Sequence, residues 1–377
     1  MPSVITAVDA FSVQYPEPND SDALRCLTFV RIRSSDGAEG WGEAVTQVPG
    51  SARATQALVE SMRDILIGRN PLENGVLWHE LVNDGWWYGH RGGIYFFAVS
   101  AVDIALWDLK GKLTGTSLVD MLGGARVESL PALASTHAFN PSLEFEAERH
   151  GRYVTEAGFK GFKIGMGKRG ETHIGYEIER DIEFMRLLRE AAGPDAWIML
   201  DRGKKITWTL DDAIRRVRGF EEYDLKWIEE PFEPDHSLEL KALRQQVNCL
   251  IAGGEREWDV HGYEGALADG MIDVVGCDVG RVGGITGALQ VLSLVERENR
   301  WFNSHAWSSA INTAVSIAIS CATDRVLLQE LKPDKNPMQD ELVDKPIRAV
   351  DGMVPVSHLP GIGVEPDIAV LPHSALT

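Results

Sequence analysis

The sequence predicts an α/β protein in which a closed (β/α) barrel follows a smaller α+β module. From about residue 126, short apolar β-prone runs alternate with amphipathic helical stretches, which is the pattern of βα units on a parallel sheet. Eight such runs follow one another, and eight parallel strands close into a barrel. Earlier residues instead alternate apolar and polar side chains with a period of two, as half-buried strands do.

The α+β module is predicted to occupy residues 1–125. Its predicted elements are the strands Ile5–Tyr15, Leu27–Ser34 and Gly40–Val45 and the helices Ala54–Ile67 and Ile94–Leu113. Asp36-Gly37 between the second and third strands is a hairpin turn signal, and Gly115 is placed to end the second helix. A small sheet with accompanying helices is therefore expected here.

The barrel is predicted to occupy residues 126–335, and residues 336–377 form a tail expected to pack back on the first module. The predicted barrel strands are Leu130–Ser135, Gly161–Ile164, Ala196–Leu200, Leu225–Ile228, Leu250–Ala252, Ile272–Val275, Trp301–Asn303 and Val326–Leu328. The helical stretches between them include Ile182–Ala192, Leu210–Phe220, Ser237–Gln246 and Ile285–Glu298. Two unequal modules are expected.

Charge and composition narrow the classes of partner. The 377 residues contain 37 Lys and Arg against 56 Asp and Glu, a net charge of −19 that disfavours nucleic acid and anionic membranes as partners. The four cysteines show no metal-type spacing, so reduced thiols are expected. No basic leader precedes an apolar stretch, and no apolar run reaches about 18 residues, so a cytoplasmic protein without a membrane span is predicted.

Polar residues follow the apolar runs at regular intervals. Six of them stand at or just after the ends of successive runs: Asp201, Glu229, Glu255, Asp278, His305 and Glu330. Their separations of 28, 26, 23, 27 and 25 residues each correspond to one βα unit. Any one of them alone could be the N-cap of a following helix. Because the C-terminal ends of barrel strands meet at the face where active sites lie, six in register predict a site there.

The residue types at these strand ends indicate acid–base chemistry assisted by a metal. Asp201, Glu229 and Glu255 repel one another unless a cation joins them, and oxygen ligands favour Mg²⁺. Asp278 beside His305 would fix the imidazole tautomer and prepare the ring as a general base. A base and a cation together predict removal of a proton next to a carboxylate, with the cation stabilising the enediolate.

Several segments carry a likeness to a known family. In chain order they are Ala105–Lys112, Phe162–Ile164, Met199–Asp201, Trp227–Pro231, Gly253–Glu255, Asp278–Gly287 and Ser304-His305. The chain resembles the mandelate racemase/muconate lactonising branch of the enolase superfamily over nearly its whole length. The resemblance implies a modified (β/α) TIM barrel with an N-terminal α+β capping domain that the C-terminal tail completes. It also implies a small-molecule carboxylate substrate and a homo-oligomer, from dimer to octamer.

The resemblance implies roles for individual residues as well. Mg²⁺ would bind the three acids of the preceding strand ends, and His305 and Asp278 would form a catalytic dyad. Glu330, which could hydrogen-bond a developing oxyanion if it stayed protonated, falls where the family's oxyanion-side carboxylate belongs. Loops of the cap near Pro16–Leu24 and Gly50–Arg53 would choose the substrate.

Other residues are candidates for substrate contact. They are Asp20, His90, Arg202, Lys204 and Trp307. His90 belongs to an aromatic loop, Gly85–Gly93, that also carries two tryptophans and a tyrosine. A loop of this composition either covers a ligand or packs in the interior.

Two departures from the family pattern bear on the reaction. Racemases of the family carry a second lysine base two residues after Lys163, where this chain has Gly165, and many relatives carry Asn or His at the position of Gly203. Lys204 and Lys205 are nearby candidates to substitute. Racemisation needs a base on each face of the carbon, whereas dehydration needs one. We therefore predict an acid-sugar dehydratase, a lyase, in which Lys163 is an electrostatic aid. Cycloisomerisation, racemisation or epimerisation of a sugar-acid lactone or hydroxy acid is the alternative.

Two remote alternatives also arise from the residues. Gly165–Gly170 reads G-x-G-x-x-G directly after a predicted strand, which is typical of NAD-dependent oxidoreductases. Asp201, however, lies 36 residues after Gly165, where that motif expects an acid after about 20. The other is a metal-binding barrel without catalysis, against which the intact pair of Asp278 and His305 argues.

Overall fold

The first module is built on an antiparallel sheet, as the computed structural model, which describes residues 3–370, shows. Its strands are β1 (Ile5–Glu17), β2 (Ala23–Ser34) and β3 (Glu39–Gln47), in that spatial order. Its helices are α1 (Pro49–Ser61), α2 (Arg63–Leu66), α3 (Asn74–Asp84), α4 (Ile94–Thr114) and α5 (Leu118–Met121). The predicted sheet is confirmed, whereas the single helix predicted over Ala54–Ile67 is two helices separated by Met62.

Helix α4 joins this sheet to the barrel. Strand β3 approaches α4 at Gly42, where a Cβ would overlap the carbonyl oxygen of Ala101, so the close contact requires glycine. Toward the barrel, Asp103 of α4 accepts hydrogen bonds from the backbone N–H (2.8 Å) and the hydroxyl (2.7 Å) of Thr286. The cap is therefore held on the barrel by polar as well as apolar contacts.

Eight parallel strands form the nearly closed barrel. They are β4 (Ser129–His137), β5 (Gly161–Met166), β6 (Trp197–Arg202), β7 (Leu225–Glu229), β8 (Leu250–Gly253), β9 (Val274–Asp278), β10 (Trp301–His305) and β11 (Gln329–Leu331). Strands β4 to β10 pair in chain order, β11 pairs with β4, and a bridge between Phe302 and Val326 links β10 to the segment before β11. The C-terminal ends of all these strands consequently surround one mouth.

The barrel is surrounded by helices and filled by side chains. The helices are α6 (Leu143–Thr155), α7 (Ile178–Ala192), α8 (Leu210–Glu221), α9 (Ser237–Arg244), α10 (Val260–Ala268), α11 (Gly284–Arg297) and α12 (Ala310–Cys321). The interior is packed with Leu133, Met199, Trp227, Ala252, Val274 and Leu328. Because the interior is packed, a site can form only at the mouth. Across residues 3–370 no helix is long and apolar enough to cross a bilayer.

The segment after the barrel contacts both modules. Strand β12 (Met353–Pro355) pairs antiparallel with β4. Farther along, the backbone N–H of Ile362 donates to Asp108 at 2.9 Å, and Glu365 pairs with Lys112 at 2.7 Å. Both partners lie on α4, so the tail does pack on the first module. The domain limits at residues 125 and 335 stay a prediction.

The last barrel strand lies three residues beyond its predicted position. The prediction chose Val326–Leu328 because it is the apolar run, but the strand is β11. Val326 makes an isolated bridge, and Leu328 fills the barrel interior. The apolar run therefore lies just before the strand, and pairing with β4 determines which residues form the strand.

Candidate active site

The mouth of the barrel collects the polar residues that the sequence places at strand ends. Asp201, Glu229, Asp278, His305 and Glu330 lie in the last residues of their strands or, for Glu330, within the short β11, and Glu255 follows β8 by two residues. The pairing register sets Asp201 beside Glu229 and Asp278 beside His305. Neighbouring strand ends thus carry acid beside acid and acid beside imidazole.

Lys163 joins two of the acids from β5. Its Nζ lies 3.0 and 2.9 Å from the two carboxylate oxygens of Glu229 and 2.9 Å from Glu330. Burial alone would lower the pKa of Lys163. The carboxylates of Glu229 and Glu330 have the larger effect and raise this pKa well above its ordinary value. An ammonium that stays charged suits the predicted electrostatic role.

Asp201 has a cationic partner that the sequence analysis did not single out. Lys168, in the loop after β5, places its Nζ 3.2 Å from Oδ2 of Asp201. Burial disfavours ionisation, but the ammonium groups of Lys168 and Lys163 outweigh it and lower the pKa of Asp201. A carboxylate is therefore the stable form of this side chain at neutral pH.

His305 and Asp278 form a close pair. Nδ1 of His305 lies 2.6 Å from Oδ2 of Asp278, whose other oxygen accepts from the backbone N–H of Gly280 (2.9 Å) and the side chain of Asn312 (3.2 Å). Nε2 of His305 lies 3.4 Å from Glu255. Burial disfavours the imidazolium, but the carboxylates of Glu255 and Asp278 outweigh it and raise the pKa of His305 to about 9. Asp278 thus fixes Nδ1 and leaves Nε2 for chemistry.

Glu330 differs from its predicted protonation state. Its Oε1 contacts Nζ of Lys163 at 2.9 Å and accepts from the side-chain amide of Asn303 at 2.8 Å. Burial disfavours ionisation, but the charges of Lys163 and His305 outweigh it and lower the pKa of Glu330. The prediction of a protonated, donating carboxyl is therefore wrong for this arrangement, because the adjacent ammonium stabilises the carboxylate.

Trp307 stands where the cap, the barrel and the segment after β11 meet. Its indole lies 4.9 Å from the ring of His137 at the end of β4, with Arg25 at 5.1 Å and Lys332 at 4.8 Å from its centroid. Arg25 in turn pairs with Asp20 at 2.7 Å. Asp20 and Trp307 are thus parts of one series of contacts that reaches the mouth, and their roles as substrate contacts stay predictions.

Three other candidates for substrate contact are placed differently. Arg202 donates from Nε to the carbonyl oxygen of Glu230 at 2.8 Å and from Nη2 to Glu233 at 2.8 Å. These protein acceptors hold the guanidinium, and its role as a substrate contact stays a prediction. Lys204 and His90 are exposed, and within the described residues 3–370 neither side chain forms a hydrogen bond or an ion pair that would link it to the mouth.

The aromatic loop Gly85–Gly93 lies on the surface. Trp86 and Trp87 are 65% and 81% exposed. Arg91 anchors the loop to the barrel by an ion pair with Asp259 at 2.9 Å. Interior packing is therefore wrong for these two tryptophans, and ligand cover stays a prediction.

The glycine-rich run after β5 does not begin a helix. Gly167 and Gly170 have φ of 64° and 94°, and the next helix, α7, starts at Ile178. A dinucleotide fingerprint requires a helix N-terminus directly after the glycines to meet the pyrophosphate. The structural context of an NAD site is therefore missing at this motif.

Two family models match most of the chain. The model described as "Mandelate racemase / muconate lactonizing enzyme, N-terminal domain" matches residues 21–123, and that described as "Enolase C-terminal domain-like" matches residues 146–370. The chain belongs to the enolase superfamily. The matching N-terminal domain places it in the mandelate racemase/muconate lactonizing branch.

Relatives of this enolase-superfamily protein match most of its length. D-galactarolactone cycloisomerase of Agrobacterium fabrum is 30% identical over 90% of this chain and 89% of its own. D-galactonate dehydratase of Pectobacterium atrosepticum is 28% identical over 89% of this chain and 88% of its own. A solved structure of a racemase from Streptomyces coelicolor with bound magnesium superposes with a TM-score of 0.85, at 26% identity and over 99% of this chain and 100% of that one.

The donor set of this family member fits a hard divalent cation. Asp201, Glu229 and Glu255 supply carboxylates from three consecutive βα units, which suits Mg²⁺. Burial and the neighbouring carboxylates raise the pKa of Glu229 to about 8, although the ammonium of Lys163 acts in the opposite direction. The carboxylates at this position therefore lack compensating positive charge. As the side chains stand, no three His, Cys, Asp or Glu within residues 3–370 are gathered closely enough to hold a metal ion.

Strand-end reasoning missed three residues of the mouth. His137 is the last residue of β4 and would have emerged had the same reasoning been applied to the first barrel strand. Asn303 precedes His305 by two residues on β10, the spacing that puts side chains on the same face of a strand. Lys168 lay inside the glycine-rich motif, and nothing in its spacing indicated that it reaches Asp201.

Proposed function

We propose that the protein is an acid-sugar dehydratase that removes the proton α to a carboxylate and eliminates the β-hydroxyl as water. The observation that carries the proposal is the pairing of Nδ1 of His305 with Asp278 at 2.6 Å, which supports Nε2 as the base once the charge of Glu255 beside it is neutralised. Lys163, the lysine on the second barrel strand, is engaged with Glu229 and Glu330 and is not available as a second base. One base suffices for elimination.

His305 carries out both proton transfers in this proposal. Nε2 takes the α-proton, and Asp278 stabilises the resulting imidazolium. The electron pair of the broken C–H bond enters the enediolate and then forms the Cα=Cβ bond as the Cβ–O bond breaks. The imidazolium returns its proton to the departing oxygen, so that water leaves, and the enol product tautomerises to a 2-keto acid. Lys163 adds positive potential where negative charge develops.

Mg²⁺ is the cofactor that we propose for this site. Asp201, Glu229 and Glu255 would hold it, and it would supply the positive charge that stabilises the carboxylate of the substrate as it becomes an enediolate. Glu255 is also one of the two carboxylates that raise the pKa of His305. Partial neutralisation of Glu255 would leave more of the imidazole in the unprotonated form that a base requires.

Cycloisomerisation of a sugar-acid lactone or cyclic ether is the second candidate. It is favoured by the 30% identity to a D-galactarolactone cycloisomerase. The bonds made and broken at Cα and Cβ are the same, except that the departing oxygen stays attached to the product. Epimerisation is less well supported, because Gly165 stands where a second base would be needed.

The test is a screen of sugar acids and their lactones with Mg²⁺ for 2-keto acid formation, run beside proton exchange at Cα in D₂O. Dehydration predicts keto acid from an open-chain acid, whereas cycloisomerisation predicts it from a lactone alone. Proton exchange at Cα with inversion of that carbon, and without keto acid formation, would show epimerisation in place of dehydration and cycloisomerisation. Activity that requires NAD and no metal would overturn the whole proposal.

We further propose that the physiological partners are a small-molecule carboxylate and copies of the same chain. The polar residues gathered at the barrel mouth and the surplus of 19 negative charges support a small ligand over a polyanion. An assembly between a dimer and an octamer is expected. Light scattering coupled to size-exclusion chromatography measures it directly.

A further inference from the structure

Gly165 leaves a space in the mouth that two other side chains fill. It lies on β5 two residues after Lys163, so its Cα faces the same way as that of Lys163. A Cβ built on Gly165 would lie 2.5 Å from Nδ1 of His137 and closer still to Cε of Lys168. The glycine therefore gives room for His137, from the end of β4, and for Lys168, from the loop after β5.

Lys168 reaches this space because the loop turns back on itself. Gly167, with φ of 64°, reverses the chain directly before Lys168, and the loop is held by a hydrogen bond from the N–H of Gly167 to the carbonyl oxygen of Ile174 at 3.1 Å. The ammonium then lies 3.2 Å from Asp201, with 29% of the side chain exposed. Lys168 is thus a positive charge at the mouth that a small molecule can reach.

His137 presents a polar atom without a partner beside that charge. The residue is 8% exposed, and its Nδ1 has no hydrogen-bond partner within residues 3–370. Burial and the nearby ammonium of Lys168 lower the pKa of His137 well below its ordinary value, so the ring is neutral. Buried polar atoms normally find a partner, and one without any at the edge of a site indicates a place for a ligand's polar group.

This space is separated from the proposed base around the mouth. In the ring of eight strands, β4 with His137 is two places from β10, which carries His305, and β5 with Gly165 is three places from it. Asp201, the partner of Lys168, lies on β6, four places away. A substrate whose α-carbon meets His305 therefore extends its remaining oxygens toward Lys168 and His137. Trp307, 4.9 Å from the ring of His137, borders the same region.

We propose that Lys168 and His137 form a subsite that binds an oxygen substituent of the substrate beyond its α-carbon. The ammonium of Lys168 donates a hydrogen bond to a hydroxyl or carboxylate oxygen, and Nδ1 of His137 pairs with a hydroxyl. The subsite selects a polyhydroxy acid over a simple α-hydroxy acid, and Gly165 is the residue that makes room for it. This inference rests on the proposed function for the class of substrate.

The test is a comparison of binding between Lys168→Met and Lys160→Met. Both changes remove one ammonium, but Lys160 is an exposed residue that precedes β5 at the opposite end of the barrel. In the His305→Asn background, which removes turnover, calorimetry with Mg²⁺ present compares a panel of gluconate, galactonate, glucarate and galactarate with lactate. We expect Lys168→Met to weaken binding of the best panel member by about 10- to 100-fold, the loss of one hydrogen bond to a charged group. Lactate binding and the Lys160→Met variant should stay within about twofold of the background protein.

A second variant tests the role of the glycine. Gly165→Ala keeps the charge of Lys168 but adds a methyl group that would overlap Cε of Lys168 and Nδ1 of His137. It should therefore reduce the preference for the panel over lactate, as Lys168→Met does. Titration with Mg²⁺ alone separates a structural role: a lysine that merely neutralises Asp201 would change the affinity for Mg²⁺ and leave the preference for polyhydroxy acids intact. That result overturns the subsite.

The failure of the subsite and the failure of the proposed function are distinguishable. Turnover of an acid sugar by the unaltered protein, with an unchanged preference in Lys168→Met, overturns the subsite alone. Binding of panel members that depends on Lys168, without any keto acid formed by the unaltered protein, overturns dehydration alone. A protein that binds no panel member in the presence of Mg²⁺ overturns both.

Discussion

Replacing Lys163 by methionine should destabilise the metal-free protein strongly at alkaline pH. The change removes the buried ammonium that lies within 3.0 Å of Glu229 and 2.9 Å of Glu330, while a side chain of similar length fills the space. Removing one partner of a buried ion pair leaves the other charge uncompensated and costs about 3–5 kcal/mol. Here two carboxyl groups lose the same cation, so we expect the upper part of that range at pH 8.

The pH dependence follows from the carboxyl groups that remain. Without the ammonium, the folded-state pKa of Glu229, which burial already raises to about 8, rises further, and the pKa of Glu330 loses the charge that lowers it and rises above the unfolded value of about 4.3. A carboxyl group whose pKa is raised by folding contributes stability that is complete below the unfolded pKa and is lost as the pH rises through the folded pKa. The difference in the free energy of unfolding between Lys163→Met and the unaltered protein should therefore be smaller at pH 5 than at pH 8.

Calorimetry and urea unfolding at both pH values measure this difference. At about 2 cal/mol/K per residue, the unfolding entropy of the chain is about 0.8 kcal/mol/K, so 3–5 kcal/mol corresponds to about 4–6 °C in Tm for a single transition. Added Mg²⁺ should narrow the gap, because Glu229 is a proposed ligand. Lys226→Met, which removes a partly exposed lysine of β7, is the matched control and should change stability by less than about 0.5 kcal/mol. A Lys163→Met protein within 1 kcal/mol of the unaltered one at pH 8 without Mg²⁺, a threshold set by the ion-pair estimate above, would refute the reasoning.

Three further changes test the base, its orientation and the cap. His305→Asn should abolish keto acid formation and retain calorimetric binding of Mg²⁺, because the side chain is the proposed base and not a ligand; persisting turnover would contradict this assignment. Asp278→Asn should lower kcat by about 10³- to 10⁴-fold by losing the imidazole tautomer that the 2.6 Å hydrogen bond fixes, and a loss under tenfold would argue against the pair. Gly42→Ala should lower the free energy of unfolding by about 1–3 kcal/mol, because the added Cβ would overlap the carbonyl oxygen of Ala101. Urea unfolding measures this, and an unchanged midpoint would show that β3 and α4 can move apart without a loss of stability.

The barrel could be predicted from the sequence because its signal is repeated. Each βα unit contains an apolar run and a polar residue after it, so the mouth residues were found without any knowledge of their contacts. The last strand was misplaced because Val326 to Leu328 is more apolar than β11, although β11 is the segment that pairs with β4. Local composition cannot report a pairing partner that lies about 200 residues earlier in the chain.

The spacing of residues along the chain could not predict which side chains the mouth residues contact. Arg202 directly follows a predicted metal ligand, yet its guanidinium is held by the carbonyl oxygen of Glu230 and by Glu233. Lys168 follows the end of β5 by two residues and yet reaches the mouth, because Gly167 adopts a positive φ. Where a side chain leaves the end of a strand depends on one or two backbone dihedrals of the loop, and these are set by the packing of the loop.

The asymmetry of the mouth connects the reaction to the choice of substrate. One side carries His305 with a carboxylate behind it, and the other carries the charged ammonium of Lys168 above a glycine. A second base in the position of Gly165 would make the two sides alike and would permit proton transfer across the carbon. With Lys168 and His137 in the place of that base, the second side can bind oxygen atoms in the proposed subsite, so the same glycine that disfavours epimerisation favours a polyhydroxy acid as the substrate of elimination.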